Sequence, residues 1–138
     1  MGPRIFVSFA KEDRQYRDLL AGQMKAKDAP FQFLDMSLQE AFDSKWKTQC
    51  REKIKGCHGF IALLSKKTWR ADGARWEIAC AVEERIPRLG VHIHRDEQGA
   101  IPPELGRARV IEWDQKKIAA FVQKVNGKRG WLEKLLDF

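Results

Sequence analysis

Phe60-Ile61-Ala62-Leu63-Leu64, followed after a basic stretch by Arg75-Trp76-Glu77-Ile78-Ala79-Cys80-Ala81, decides the fold. An apolar run without alternation describes a strand buried on both faces, as in the middle of a parallel sheet. The second segment carries its apolar residues at helical spacing. In an α/β chain the carboxyl end of such a strand and the helix after it form the rim where ligands bind. Glu77 stands on that rim, and two readings of it are open. It is a carboxylate placed for chemistry, or it is a solvated charge in a first helical turn, where the macrodipole favours acids.

Working outward, the same alternation repeats. Short apolar strands read at Ile5 to Phe9, Phe31 to Leu34, Phe60 to Leu64, Leu89 to Ile93 and Val110 to Glu112, and helical patterns at Arg14 to Lys25, Lys45 to Lys55, Ala74 to Arg85 and Gln115 to Val125. Strand starts lie roughly thirty residues apart over most of the chain, the length of a βαβ unit. This alternation predicts a parallel sheet covered by helices on both faces. Asp43 or Ser44 can cap the second helix, Pro87 closes the third, Pro102-Pro103 forbids regular structure before the last strand, and Asp114 can cap the last helix. Gly127-Lys128-Arg129-Gly130 is expected to break that helix, which divides the chain into a domain at 1–126 and a short amphipathic tail at 127–138.

With 138 residues, 43% of them hydrophobic and 33% charged, the chain has the size and composition of one globular domain. No apolar run approaches the ~18 residues of a membrane helix, and the N-terminus lacks a signal-peptide pattern, which implies a cytoplasmic protein without membrane contact. Cys50, Cys57 and Cys80 have no paired C-x-x-C spacing and read as small buried thiols. The net charge of +7 is not accompanied by any nucleic-acid motif. Instead Lys66, Lys67, Arg70 and Arg75 cluster just before Glu77, where they could meet a pyrophosphate. His92 and His94 flank Ile93 with H-x-H spacing on one strand face, but further ligands are needed for a metal site, and none is expected. No G-x-G-x-x-G follows the first strand, which disfavours a Rossmann dehydrogenase, and there is no nucleophile elbow.

Specific residues carry a family resemblance. Arg4-Ile5-Phe6-Val7-Ser8-Phe9 with Lys11-Glu12-Asp13 resembles the first strand and loop of a TIR domain, in particular the prokaryotic TIR-like branch of Thoeris antiphage defence. Phe31-Gln32-Phe33-Leu34-Asp35-Met36-Ser37 is similar to its second strand and the entry to its BB loop. Trp46-Lys47 with Arg51, Ile54 and Cys57 resembles its second helix, and Thr68 to Ile78 the loop and helix that hold the family's catalytic glutamate. Ile111-Glu112-Trp113 fits the closing strand. The resemblance covers about residues 4 to 125. It departs from the family at one point: the tryptophan usual four residues before the glutamate is here Gly73. Trp76, beside Glu77, points about 100° away and cannot take its place. A ligand ring or a borrowed indole such as Trp69 is expected to fill the space, or the site is degenerate.

The resemblance implies a flavodoxin-like three-layer sandwich with a five-stranded parallel sheet in the order 2-1-3-4-5. It also implies cleavage of NAD+, as substrate and not as cofactor, at the nicotinamide glycosidic bond. Glu77 would then be the catalytic residue, ionised, holding the ribose hydroxyls and facing the developing cation. Ser8 and Phe9 would border the same crevice, with Phe9 as a stacking surface or part of the core. Asp35 and Ser37 would shape the BB loop, Trp46 and Trp76 would lie against the nucleotide or pack their helices, and Lys67 and Arg70 would meet the phosphates. The expected product is ADP-ribose or a cyclic or conjugated form of it, an immune signal sensed by a separate effector. Self-association or a partner TIR protein is expected to complete the site. The competing readings are a non-catalytic module assembling through the BB loop, and an enzyme acting on the base of another nucleotide.

Overall fold

The computed structural model describes residues 2–36 and 43–136, with side chains described as far as residue 126. Five strands, β1 (Arg4–Ser8), β2 (Gln32–Leu34), β3 (Gly59–Leu64), β4 (Arg88–His92) and β5 (Arg109–Glu112), form one sheet in the order β2-β1-β3-β4-β5. Every pairing is parallel, with Ser8 opposite Ala62 and Leu64 opposite His92. The helices are α1 (Arg14–Ala26), α2 (Ser44–Lys55), α3 (Asp72–Glu83) and α4 (Gln115–Leu136). This is the flavodoxin-like architecture expected from the resemblance.

The sheet builds two cores because side chains alternate along each strand. Ile5, Val7, Ile61, Leu63, Leu89 and Val91 face α1 and α4, where Leu20, Met24, Ile118 and Val122 close the layer. Phe6, Phe60, Ala62 and Leu64 face α2 and α3, against Trp46, Cys50, Ile54, Ile78 and Ala81. All six residues of β3 are buried, which accounts for its unbroken apolar run. The three cysteines are buried free thiols.

Local punctuation follows side-chain chemistry. Asp43 rather than Ser44 caps α2, its carboxylate accepting from the Trp46 amide at 2.9 Å, and Asp114 receives the Lys117 amide at 3.0 Å. Pro102-Pro103 excludes strand and helix but leads into a single 3-10 turn, Pro103–Leu105, where the ring's fixed φ is tolerated. α3 begins at Asp72, so Glu77 lies in its second turn and not its first.

The expected break at Gly127 and Gly130 does not occur. α4 runs from Gln115 to Leu136 through both glycines. A helical glycine costs only about 1 kcal/mol relative to alanine, and α4 is anchored by the buried face of Ile118, Ala119, Val122 and Val125. How the tail docks lies outside the described side chains. Among the described residues no helix is long and apolar enough to cross a membrane.

Candidate active site

In a sheet ordered 2-1-3-4-5 the chain leaves the neighbouring strands β1 and β3 towards opposite faces, so their carboxyl ends form the switch point at which folds of this class place ligands. Ser8 is the last residue of β1, and α3 passes over this end of the sheet. Ser8 Oγ lies 2.8 Å from Glu77 Oε1 and 3.3 Å from the Ala74 carbonyl oxygen. One hydroxyl proton serves these two acceptors. When Glu77 is ionised, Ser8 donates to the carboxylate. When Glu77 is protonated, its O–H can donate to Ser8 Oγ, leaving the Ser8 proton for Ala74.

Glu77 is 6% exposed, so the solvated-charge reading fails. Burial pushes its pKa from the ordinary 4.5 up to about 8; the Ser8 hydrogen bond opposes this, and the negative charge of Asp35 adds to it. Burial thus favours the protonated form of Glu77, against the hydrogen bond from Ser8 that favours the ionised one. The cause is desolvation, which the sequence pattern did not reveal.

Asp35 follows β2 and is ion-paired with Arg17 of α1. The Arg17 guanidinium lies 5.5 Å from the centre of the Phe9 ring and 5.2 Å from that of Phe33. Phe9 belongs to the core facing α1 and α4. Arg17 was not singled out from the sequence, where it looks like any basic residue on an amphipathic helix. Ser37 lies outside the described residues.

The space beside Gly73 is occupied, though not by Trp69. A side chain beginning at Gly73 would meet the Trp46 ring, whose Cζ2 and Cη2 lie 3.7 and 3.8 Å from an ideal Cβ position. Trp46 is 6% exposed and its ring stands edge-on to Trp76, centroids 5.6 Å apart. Trp76 is partly buried, with the Arg51 guanidinium 5.5 Å from its ring centre; Arg51 also pairs with Glu83 and Glu84, tying α2 to α3. Trp69 is 44% exposed and stacks instead with Arg75, 4.6 Å away.

The basic cluster divides. Lys66, Lys67 and Arg70 are exposed. Arg75 is engaged by both oxygens of Glu104 at 2.8 Å and by the Trp69 carbonyl at 3.1 Å, so its charge is already answered. The loop is anchored by a buried polar knot that periodicity did not reveal. Ser65 Oγ donates to Asp13 at 2.5 Å, the Ser65 amide donates to Thr68 Oγ1 at 2.9 Å, and the Lys67 amide donates to Ser65 Oγ at 3.1 Å.

The two histidines do not share a strand face. β4 ends at His92, which is buried, and His94 lies beyond it with its ring edge-on to Tyr16, centroids 5.2 Å apart. Among the described residues no group of His, Cys, Asp and Glu could hold a metal ion. Burial raises the Cys57 and Cys80 thiols to about 11 and Cys50 further still, which argues against nucleophilic use.

A five-stranded parallel sheet in this order, with a buried carboxyl at its switch point, defines a flavodoxin-like α/β domain. The family model described as Thoeris protein ThsB, TIR-like domain, matches residues 6–98, and the chain belongs to that family. Comparison with curated proteins returns no match. Among solved structures, a diflavin flavoprotein A3 from Nostoc sp. is similar over 100% of this chain and 99% of its own, with 12% identity and a TM-score of 0.57. A CMP N-glycosidase from Clostridium botulinum, BcmB, is similar over 85% of this chain and 95% of its own, with 16% identity and a TM-score of 0.51. A 3-dehydroquinate dehydratase-like protein from Bifidobacterium longum is similar over 91% and 96%, with 15% identity and a TM-score of 0.50. At these identities the likenesses bear on the fold alone.

Proposed function

We propose that the domain binds NAD+ in the crevice at the ends of β1 and β3 and cleaves the nicotinamide–ribose bond. The observation that carries this reading is the buried Glu77 carboxyl held by Ser8 at the switch point. Membership of the Thoeris TIR-like family supports it. The Clostridium botulinum neighbour, described as a CMP N-glycosidase, adds that in that protein a similar fold serves N-glycosidic cleavage.

Ordinary glycosidases need a second carboxyl group to protonate a departing oxygen. Nicotinamide does not. It leaves a cationic pyridinium as a neutral molecule, carrying the electron pair of the broken C–N bond, and the ribosyl cation left behind is captured by water or by another nucleophile. Ionised Glu77 stabilises that cation and binds the ribose hydroxyls. The pyridinium charge arriving beside a desolvated carboxyl favours its ionised form, so substrate binding itself displaces the Glu77 proton. Exposed Lys67 and Arg70 are suited to the pyrophosphate. The product, ADP-ribose or a cyclic or conjugated form, would act as a signal for a separate effector in antiphage defence, with a second TIR domain completing the site.

The deep burial of Glu77 favours one alternative, a non-catalytic TIR module assembling through its BB loop. Incubating wild type and Glu77→Gln with NAD+ over a range of protein concentrations and following nicotinamide by chromatography tests the choice. Release by wild type alone supports cleavage. No release by either, at concentrations where the protein associates, supports the module.

A further inference from the structure

Two helical ladders face each other across the contact between α2 and α3. On α2, Trp46 and Cys50 are one turn apart, and both are buried in the same core. On α3, Gly73 and Glu77 are one turn apart. The upper rungs touch, since the Trp46 ring is in van der Waals range of a Cβ placed on Gly73. The lower rungs are neighbours as well, since Glu77 in its ionised form would raise the pKa of Cys50 beyond what burial does.

The backbone that carries the indole is capped, and a second ring meets it. The Asp43 carboxylate fixes the α2 backbone at the Trp46 amide, and Trp76 meets the Trp46 ring edge-on while carrying Arg51. A rigid aromatic ring thus covers bare helix backbone one turn from the carboxyl. A Cβ at position 73 would already be in van der Waals contact with the ring, at 3.7 and 3.8 Å from Cζ2 and Cη2, so a bulky side chain directed towards α2 would compete with it for that space.

We infer that Trp46 is a positioning residue for Glu77: its indole, seated over Gly73, roofs the crevice on the α2 side, excludes water from the carboxyl and fixes its rotamer against Ser8. Gly73 and Trp46 are then one complementary unit, a missing side chain on α3 filled by a ring from α2. The inference rests on Glu77 being the carboxylate of the site, and it assigns the control of that carboxylate to a residue on another helix.

The test uses the full chain without nucleotide and follows the Glu77 carboxyl by ¹³C NMR titration, with glutamate labelled and the signal assigned by its loss in Glu77→Gln. Trp46→Ala should let water in and lower the apparent pKa by at least about one pH unit from its wild-type value near 8. Gly73→Trp alone should destabilise the protein, because two rings compete for one space. In the double variant Trp46→Ala/Gly73→Trp, the ring is restored from the other helix, and at least half of the lost shift should return. A purely structural tryptophan would change the melting temperature without this rescue of the titration.

Should Trp46→Ala not fold, Trp46→Phe serves in its place, with a smaller fall that Gly73→Leu opposes. An unchanged titration in a folded Trp46 variant, or a double variant no closer to wild type than the single, overturns the inference. Failure of the NAD+ reading looks different: wild type releases no nicotinamide, while the titration shift and its rescue persist.

Discussion

Ser8 Oγ and Glu77 Oε1 lie 2.8 Å apart, joining the last residue of β1 to the second turn of α3 across 69 positions of sequence. The bond favours the ionised carboxylate, while burial and the Asp35 charge favour the protonated form. The balance between them sets the pH at which the carboxylate becomes available, and each contribution can be removed separately.

Ser8→Ala removes a hydrogen bond to the ionised form, so the Glu77 pKa should rise further. The acid limb of kcat/KM, which reports the free enzyme, should move to higher pH. Asp35→Asn removes a negative neighbour and should move the same limb to lower pH. Opposite displacements in pH–rate profiles of the two variants are the expected outcome, and displacement in one direction by both would be evidence against this electrostatic balance.

Glu77→Gln should lower kcat for nicotinamide release by about 10²-fold or more, a loss of at least ~2.7 kcal/mol of transition-state stabilisation. Gln keeps the size of the side chain but removes the charge, so the native far-UV spectrum should be retained.

The same substitution should change stability in a pH-dependent way. The native carboxyl, with a pKa near 8 against an ordinary 4.5, binds more protons than the unfolded chain between those values. Its contribution is fully present below about pH 4.5 and is lost as pH rises through 8. Each pH unit by which the pKa is raised corresponds to about 1.4 kcal/mol. Melting curves of wild type and Glu77→Gln should therefore lie closest at low pH and separate towards pH 9, with the Gln variant the more stable.

Replacing exposed Lys67 and Arg70 together with alanine should raise KM for NAD+, with a weaker salt dependence of kcat/KM and little change in melting temperature. Arg75→Ala should behave differently. It breaks the pair with Glu104 and the support under Trp69, so its main effect should be on stability, and adding Glu104→Ala should cost little more. A phosphate role for Arg75 would instead show as a rise in KM without a change in melting temperature.

If a second TIR domain completes the site, specific activity should increase with protein concentration in parallel with association measured by light scattering. Flat activity per molecule across a wide range, with a monomer throughout, would remove the assembly requirement.

The order and type of the elements were legible because their signals are local. The continuous apolar run of β3, the helical spacing of α1 to α3 and the caps at Asp43 and Asp114 depend on near neighbours in the chain. Family membership was legible in the same way, as an ordered series of short segments. Glu77 was recognisable by position alone, as the acid following the central strand. Its state was not, because nothing adjacent to it in sequence announces burial or names Ser8 as its partner.

What the sequence by itself determined is thus the alternation, the parallel class, the family and the candidate carboxylate, since periodicity and residue order act over a turn or a strand. Tertiary structure alone decided that Glu77 is buried and bonded to Ser8, that Trp46 and not Trp69 fills the space at Gly73, that Arg75 is bound to Glu104, and that α4 continues through its glycines. Proton affinity depends on the water and charge around a group, ring packing on which surfaces meet, and helix persistence on the anchoring of one face. Each of those is fixed by residues brought together from distant parts of the chain.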